Sequence, residues 1–173
     1  MDKNQISSQV GNFYAIGLNY KKADAQTRGR FSLDEAGQAN LLSKAKQQGM
    51  PSLIIISTCN RTELYGLSQH PYQIIKLLCE HTRGSLEEFE KVAYIYKNNE
   101  AVSHLFKVGT GLDSQILGDF EIISQLRKSF RLSKSLDLFN PFTERLANAV
   151  IQASKRIKNE TKISTGATSV SFA

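Results

Sequence analysis

Tryptophan is absent from this 173-residue chain, and cysteine and proline occur only two and three times. The two cysteines, Cys59 and Cys79, form no Cys-x-x-Cys pair, which argues against a disulfide framework and against a zinc site. No apolar run approaches the roughly 20 residues that a membrane helix needs, and the N-terminus lacks the basic and apolar segments of a signal peptide. We therefore expect a soluble protein in a reducing compartment, the cytoplasm.

A Gly-x-Gly-x-x-Gly turn is also missing, so the sequence predicts no dinucleotide site of its own. What the chain does contain is a hydrophobic fraction of 40% with nine Phe and six Tyr, which is enough for a core. The net charge is +6, and basic residues concentrate in segments 21–30, 127–134 and 155–162. Such segments can bind an anionic partner such as RNA, although most runs of charge are solvated helix faces.

The hydrophobic pattern predicts four strands, over residues 12–19, 52–57, 62–68 and 92–96. A polar loop or broken helical turn follows the first strand. A helix then begins at Ser32, the predicted N-cap of a capping box with Glu35, and ends at Gly49. A second helix over 71–81 separates the third and fourth strands. This order is that of a ferredoxin-like βαββαβ sandwich, an α/β (α+β) fold with two helices on one face of an antiparallel sheet.

After the sandwich the chain turns helical, and three patterns predict helices over 101–112, 118–135 and 142–159. Apolar residues at helical spacing predict the buried stripe of the last helix, which includes Val150 and Ala149. In the first sandwich helix the same spacing predicts Ala36 and Leu42 as core positions. No internal repeat or low-complexity tract interrupts this organisation.

Cys59 occupies the junction between two predicted strands, after the run Leu-Ile-Ile-Ile-Ser-Thr and before Asn-Arg. Strand ends present side chains for binding and catalysis on a rigid support. A thiolate can attack an acyl carbon, and a nearby guanidinium such as that of Arg61 favours the thiolate and can clamp a carboxylate with two parallel hydrogen bonds. The alternative is that Cys59 packs as a small buried apolar side chain, as free cysteines usually do.

Four segments resemble, in order and with compatible spacing, the glutamyl-tRNA reductase family: residues 17–23, 57–63, 104–119 and 155–171. The second, Ser-Thr-Cys-Asn-Arg-Thr-Glu, matches the family's nucleophile motif throughout. The first departs from the family pattern Gly-Leu-Asn-His-Lys-Thr-Ala at Tyr20 and Lys22. The resemblance covers nearly the whole chain and identifies Cys59 as the family's nucleophile.

The resemblance implies a reaction in which Cys59 attacks the ester of glutamyl-tRNA. The resulting thioester is reduced by NADPH to glutamate-1-semialdehyde, the first step of tetrapyrrole (porphyrin, haem) biosynthesis from glutamate. Arg61 would pair with the free γ-carboxylate of the substrate and so select glutamate. Thr58 and Asn60 would hydrogen-bond the glutamyl group, although turn chemistry at a strand end explains both residues equally well.

Further substrate contacts follow from the resemblance: Ser114, Asp119, Phe120, Glu121 and Gln125. Here Gly-Asp-Phe-Glu replaces the family's usual Gly-Glu-Pro-Gln, which should reshape this loop, and a carboxylate at Glu121 cannot donate a hydrogen bond as an amide does. His104 is the histidine in a matching position; it is either a catalytic group that tunes the thiol or shuttles a proton, or a core residue. His70 and His81 are expected at the surface, and Cys79 in packing.

The resemblance also implies a domain organisation. A ferredoxin-like core over 1–100, a helical part over 101–140 and a connecting helix over 141–162 would precede the start, at 163–173, of an NADPH-binding domain that lies outside this chain. The full-length protein would be a homodimer through a further C-terminal domain and would hand its product to the next pathway enzyme. Two other functions stay open, an RNA-binding module without catalysis and a thiol esterase acting on aminoacyl-tRNA.

Overall fold

Four antiparallel strands form one sheet in residues 11–161, the part of the chain that the computed structural model describes. The strands are β1 (Asn12–Asn19), β2 (Ser52–Ser57), β3 (Arg61–Ser68) and β4 (Tyr94–Lys97). The helices are α1 (Ala25–Arg30), α2 (Glu35–Gln47), α3 (Pro71–Glu80), α4 (Leu86–Val92), α5 (Asn99–Gly109), α6 (Glu121–Ser135) and α7 (Pro141–Glu160).

The strand order is β2-β3-β1-β4, and each neighbouring pair is antiparallel. The predicted ferredoxin-like sandwich is therefore confirmed, together with the three helices after it. In the central pairing, Gly17 of β1 lies opposite Glu63 of β3, and a Cβ atom at Gly17 would come within 2.8 Å of the Glu63 side chain. The nearest atom would be the carbonyl oxygen of Thr62, so glycine here permits the close approach of the β3 backbone as well as of the buried Glu63 side chain.

Alternation along the strands divides their side chains between two hydrophobic cores. Tyr14, Ile16 and Leu18 of β1 pack in one core with α2 and α3, as the sandwich predicts. Phe13 and Ala15 pack in a second core with α5, α6 and α7. Because helices cover both faces of the sheet, the described residues offer no open sheet face of the kind on which RNA-recognition domains stack bases.

The start of α2 differs from the prediction. Asp34, not Ser32, is the N-cap, and its side chain accepts a hydrogen bond of 2.7 Å from the backbone N–H of Gly37. The Ser32 hydroxyl instead donates to the carbonyl of Gly29 in the preceding turn, at 2.9 Å. Both residues suit an N-cap in the sequence, and the tertiary path of the chain decides between them.

Two short helices and two core positions were also predicted wrongly or incompletely. The loop after β1 contains the six-residue helix α1, and α4 occupies residues predicted as loop and as the start of the fourth strand, so that β4 begins at Tyr94. Ala36 and Ala149 are exposed, whereas Leu41 and Ala147 are buried in their helices.

Among residues 11–161, no helix combines the length and apolar character needed to cross a bilayer. Predictions for segment 163–173 lie outside the described residues.

Candidate active site

Cys59 lies in the turn that joins β2 to β3, and its side chain is exposed. The turn is closed by the backbone N–H of Thr58, which donates to the carbonyl of Arg61 at 2.8 Å. From outside the turn, Nε of Arg28 donates to the carbonyl of Cys59 at 2.9 Å. The alternative that Cys59 is a buried apolar side chain is wrong, because a strand end held in this way presents the thiol to solvent.

A small polar cavity of about 70 Å³ opens beside this turn. Its lining combines the turn, the loop before α6 and the first part of α6: Thr58, Cys59, Asn60, Arg61, Ser114, Gln115, Ile116, Asp119, Glu121, Ile122 and Gln125. Most of the site residues predicted from the sequence are therefore brought together around one cavity. The fold does this by placing the end of β2 beside the start of α6.

Phe120 and His104 are the predicted site residues that do not line this cavity. The ring of Phe120 lies 6.0 Å from Nζ of Lys158 on α7. His104 is buried on α5, where its Nε2 donates to Oε1 of Glu63 over 3.1 Å. His104 therefore contacts the buried carboxylate of Glu63 and does not line the cavity.

Arg61 is 2% exposed, and its guanidinium is held by two carboxylate residues. Nη1 donates to Oε1 of Glu63 at 2.8 Å and to Oδ2 of Asp113 at 3.1 Å, while Nη2 donates to the carbonyl of Asp113 at 2.6 Å. Burial alone would lower the pKa of Arg61, but the electrostatic interactions with Glu63, Tyr65, Tyr94 and Asp113 together outweigh it and raise that pKa. The guanidinium is therefore charged and fixed in direction.

Glu63 is the centre of a fully buried polar cluster. Besides Arg61 and His104, the hydroxyls of Tyr65 and Tyr94 both donate to its carboxylate. Burial would raise the pKa of Glu63, but the hydrogen bond from His104 and the charge of Arg61 prevail and lower it to about 2. The ionised carboxylate of Glu63 accepts hydrogen bonds from four side chains, and this network fixes the orientation of Arg61, which lines the cavity.

Asp113 extends this cluster toward the surface. Its Oδ1 accepts a hydrogen bond of 2.7 Å from Nζ of Lys21, and this bond raises the pKa of Lys21. Its backbone is held in a loop where Gly111 and Gly118 both adopt positive φ, a conformation that favours glycine. The formal charges of Arg61, Lys21, Glu63 and Asp113 sum to zero, so a bound carboxylate depends on directed hydrogen bonds more than on net charge.

Sequence reasoning missed Glu63, Asp113, Lys21 and Arg28 as members of the site, although each lies within a segment that had been noted. Glu63 ends the nucleophile motif and has the same strand parity as Arg61, a signal that both side chains leave the same face of the sheet. The partners of Glu63 on β4 and α5 come together only through the tertiary fold. Arg28 had been recognised only as part of a basic segment.

Comparison with known proteins places this geometry in a family. A model of the family "Glutamyl-tRNAGlu reductase, N-terminal domain" matches residues 16–161, most of the chain. The chain belongs to this family. The match includes the second half of β1, the Cys59 turn, the Arg61–Glu63 cluster and the helices up to α7.

Full-length members of the glutamyl-tRNA reductase family are much longer than this chain. It is 67% identical over all 173 residues to a glutamyl-tRNA reductase of Flavobacterium psychrophilum, of which it covers 42%. It is 70% identical over 166 residues to one from Christiangramia forsetii, covering 40% of that protein. The chain thus spans about two fifths of the length of these curated relatives.

A solved structure supports the same fold. The glutamyl-tRNA reductase from Methanopyrus kandleri superposes with a TM-score of 0.75 over 91% of this chain and 37% of that one, at 23% sequence identity. At this identity the likeness concerns the fold alone. It agrees with the antiparallel sheet and the helices that surround it.

Proposed function

We propose that this chain forms the thioester with glutamate in a glutamyl-tRNA reductase. The observation that carries the proposal is that an exposed thiol, Cys59, and a buried, charged guanidinium, Arg61, line the same small polar cavity. The relatives named glutamyl-tRNA reductase suggest the substrate, glutamate esterified to tRNA. A thiol and a carboxylate-binding guanidinium that line the same cavity suit a glutamyl group bound there.

The proposed step exchanges an oxygen ester for a thioester. The Cys59 sulfur attacks the α-carbonyl carbon of the glutamyl ester, a C–S bond forms and the C–O bond to the ribose breaks. The proton of the thiol ends on the released ribose hydroxyl, and no atom changes oxidation state. The rigid turn helps because it holds the sulfur at a fixed place while the acyl group is positioned.

Arg61 is proposed to select glutamate by binding its γ-carboxylate. A guanidinium has five N–H donors, and the contacts to Glu63 and Asp113 use Nη1 and one hydrogen of Nη2. Donors on Nε and Nη2 are left for a ligand in the cavity. Ser114 and Gln125, which line the same cavity, are proposed as further hydrogen-bonding partners of the glutamyl group, with Thr58 and Asn60 on the side of the turn.

NADPH does not fit the described part of the chain. The strands between residues 11 and 161 are all antiparallel, and none of them leads through a glycine-rich turn into a helix of a parallel βαβ unit, the arrangement that cradles a dinucleotide pyrophosphate. The reductive half of the reaction, which would yield glutamate-1-semialdehyde for tetrapyrrole biosynthesis, is therefore not attributed to these residues. A homodimer and hand-over of the product to the next enzyme remain part of the proposal for the full-length protein.

Release of free tRNA from glutamyl-tRNA tests the proposed step. The unmodified chain should release a burst of tRNA close to one equivalent of protein, and Cys59→Ser should abolish the burst. Cys79→Ser is the matched control, because Cys79 packs partly buried against the first core, and it should keep the burst. A full burst from Cys59→Ser would refute the assignment of the nucleophile.

A thiol esterase is the second candidate, and the exposure of Cys59 is the observation that favours it. In the described residues nothing encloses the thiol, so water can reach a thioester formed there. The two functions differ after the burst. An esterase releases tRNA and free glutamate continuously at a rate close to the burst, whereas the proposed domain accumulates the thioester and hydrolyses it slowly.

A further inference from the structure

Cys59 borders two cavities of very different size. The turn residues Thr58, Cys59 and Asn60 line both the small cavity of about 70 Å³ and a second cleft of about 590 Å³. The second cleft, here called the α1 cleft, is bounded on its far side by α1 and the segment that leads into α2, including Arg28, Gly29 and Asp34. The turn that carries the thiol therefore borders two spaces, one small and one large.

The proposed acyl transfer needs two such spaces. When sulfur adds to an ester carbon, the acyl chain and the leaving oxygen occupy different corners of the tetrahedral intermediate, so they extend away from each other. Ligand sites for molecules of nucleotide size usually measure about 300–1,000 Å³. The small cavity lies far below that range and the α1 cleft lies within it.

We infer that the α1 cleft binds the 3′-terminal nucleoside of the RNA whose glutamyl ester reacts with Cys59. This inference rests on the proposed function and adds the place of the leaving group. It also fixes the direction of the substrate, with the glutamyl group toward Arg61 and the RNA leaving past α1. During the step the ribose oxygen departs from the acyl carbon into this cleft and takes the proton of the thiol.

The side chains around the α1 cleft suit a ribose and a phosphate. Asp34 accepts one backbone hydrogen bond through Oδ1, and a carboxylate is a common acceptor for ribose hydroxyls. The half-buried Arg28 donates from Nε to the Cys59 carbonyl and from Nη1 to the Ala23 carbonyl, which places its positive charge beside the turn. Both bonds go to neutral carbonyl acceptors. The pKa of the nearby, exposed Asp24 carboxylate is lowered by the backbone hydrogen bond from Thr27 and, to a smaller extent, by the charge of Arg28.

Further basic residues belong to segments that adjoin α1. Lys22 is exposed, and Arg83 is exposed with its Nη2 3.3 Å from the carbonyl of Gly29. The positive charge of Arg30 is neutralised by an ion pair with Glu88 at 2.7 Å, and the exposed carboxylate of Asp24 caps α1. Together with Arg28 and Asp34, these side chains carry four positive and three negative formal charges, a net charge of +1 that favours contact with a phosphate.

Gly29 provides the test variant. A Cβ atom at Gly29 would meet nothing within 4 Å, and its φ is not in the left-handed region, so a larger side chain can be placed there without a backbone clash. Gly29→Phe should add bulk to the α1 cleft, and Gly29→Ala is the size control. Ala36→Phe is the positional control, since Ala36 is exposed and lines the neighbouring cavity between α2 and α6 but not the α1 cleft itself. The two cavities share Leu33, Asp34 and Ser57.

Acylation of Cys59 is followed with two donors, 3′-O-glutamyl-adenosine and the α-methyl thioester of glutamate. On the unmodified chain, the half-saturating concentration should be at least tenfold lower for the adenosine ester. Gly29→Phe should raise the half-saturating concentration of the adenosine ester at least tenfold and change that of the methyl thioester less than twofold. Gly29→Ala and Ala36→Phe should give the same values as the unmodified chain.

Equal half-saturating concentrations for the two donors on the unmodified chain would overturn the inference, and this comparison does not depend on any variant folding. The inference would also be overturned if Gly29→Phe weakened acylation by both donors to the same extent. The same holds if Ala36→Phe weakened acylation by the adenosine ester as much as Gly29→Phe does. If neither donor acylates Cys59 in the unmodified chain, the proposed function itself has failed. The two failures are therefore distinguishable.

Discussion

Replacing Glu63 by Gln tests the buried cluster beneath the cavity. Glu63 accepts hydrogen bonds from Arg61, His104, Tyr65 and Tyr94, and its side chain is fully buried. Glutamine keeps the size but has no charge, and its NH₂ group cannot accept the bonds made by one of the two oxygens. The buried guanidinium of Arg61 then keeps only Asp113 as a charged partner.

The structure sets the size of the effect. The pKa of Glu63 is lowered from 4.5 to about 2, which corresponds to about 3 kcal/mol in the free energy of unfolding at about 1.4 kcal/mol per unit. Removing one partner of a buried ion pair costs about 3–5 kcal/mol in other proteins, which agrees. We expect Glu63→Gln to lose about 3–5 kcal/mol at pH 7, a large share of the roughly 5–15 kcal/mol typical of a domain.

The pH dependence has a definite sign. Because folding lowers the pKa of Glu63, its contribution is complete above pH 4.5 and is lost as the pH falls toward about 2. The gap between the unmodified chain and Glu63→Gln should therefore narrow by about 2 kcal/mol between pH 7 and pH 3. Urea unfolding followed by far-UV circular dichroism at the two pH values measures both quantities.

Glu87→Gln is the matched control, because Glu87 is exposed and pairs only with Lys91 one turn away at 3.1 Å. Its effect should stay below about 1 kcal/mol, the usual limit for a surface ion pair. If Glu63→Gln unfolds at the same urea concentration as the unmodified chain, or if its deficit is the same at pH 3 and pH 7, the carboxylate of Glu63 is not the ionised acceptor described above.

Further predictions concern the substrate and the cofactor. Arg61→Lys keeps the charge but loses the paired donors, so we expect transition-state binding to weaken by about 1–3 kcal/mol, measured from the single-turnover rate of acylation by glutamyl-tRNA. Unchanged rates in Arg61→Lys and Arg61→Ala would mean that another residue binds the γ-carboxylate. Asp113→Asn removes the carboxylate that pairs with Lys21 and Arg61. The half-saturating concentration of glutamyl-tRNA should therefore rise by a larger factor than the maximal rate falls. A fall in the maximal rate alone would contradict this positioning role of Asp113. Calorimetric titration should show no tight NADPH binding to this chain, and an aldehyde-trapping assay should show no product; tight binding would contradict the fit of the described residues.

The sheet was predictable from sequence because its strands carry strong apolar patterns and clear turn residues. β1 and β2 have the predicted bounds, and the order of elements was sufficient to specify the ferredoxin-like topology. α4 was missed because its seven residues bury one aromatic side chain, Phe89, which is too little for a periodic signal. The capping box of Ser85 and Glu88 at its start was the local signal that could have predicted it.

The candidate site was predictable only in part. The motif around Cys59 and the resemblance to the family led to most of the residues that line the small cavity. The role of Glu63 was not predictable, because its donors on β4 and α5 are 31 and 41 residues away in sequence. The contact of His104 with Glu63 was not predictable for the same reason. The packing of α5 on the sheet, and not the local sequence pattern, determines which strand residue His104 contacts.

Mass spectrometry of the chain after incubation with glutamyl-tRNA tests the central claim most directly. We expect one added glutamyl group per chain, removed by hydroxylamine as a thioester is, and located by peptide mapping on the peptide that contains Cys59. A glutamyl group on Cys79, or an adduct that persists in Cys59→Ser, would contradict the claim that Cys59 is the nucleophile of this domain.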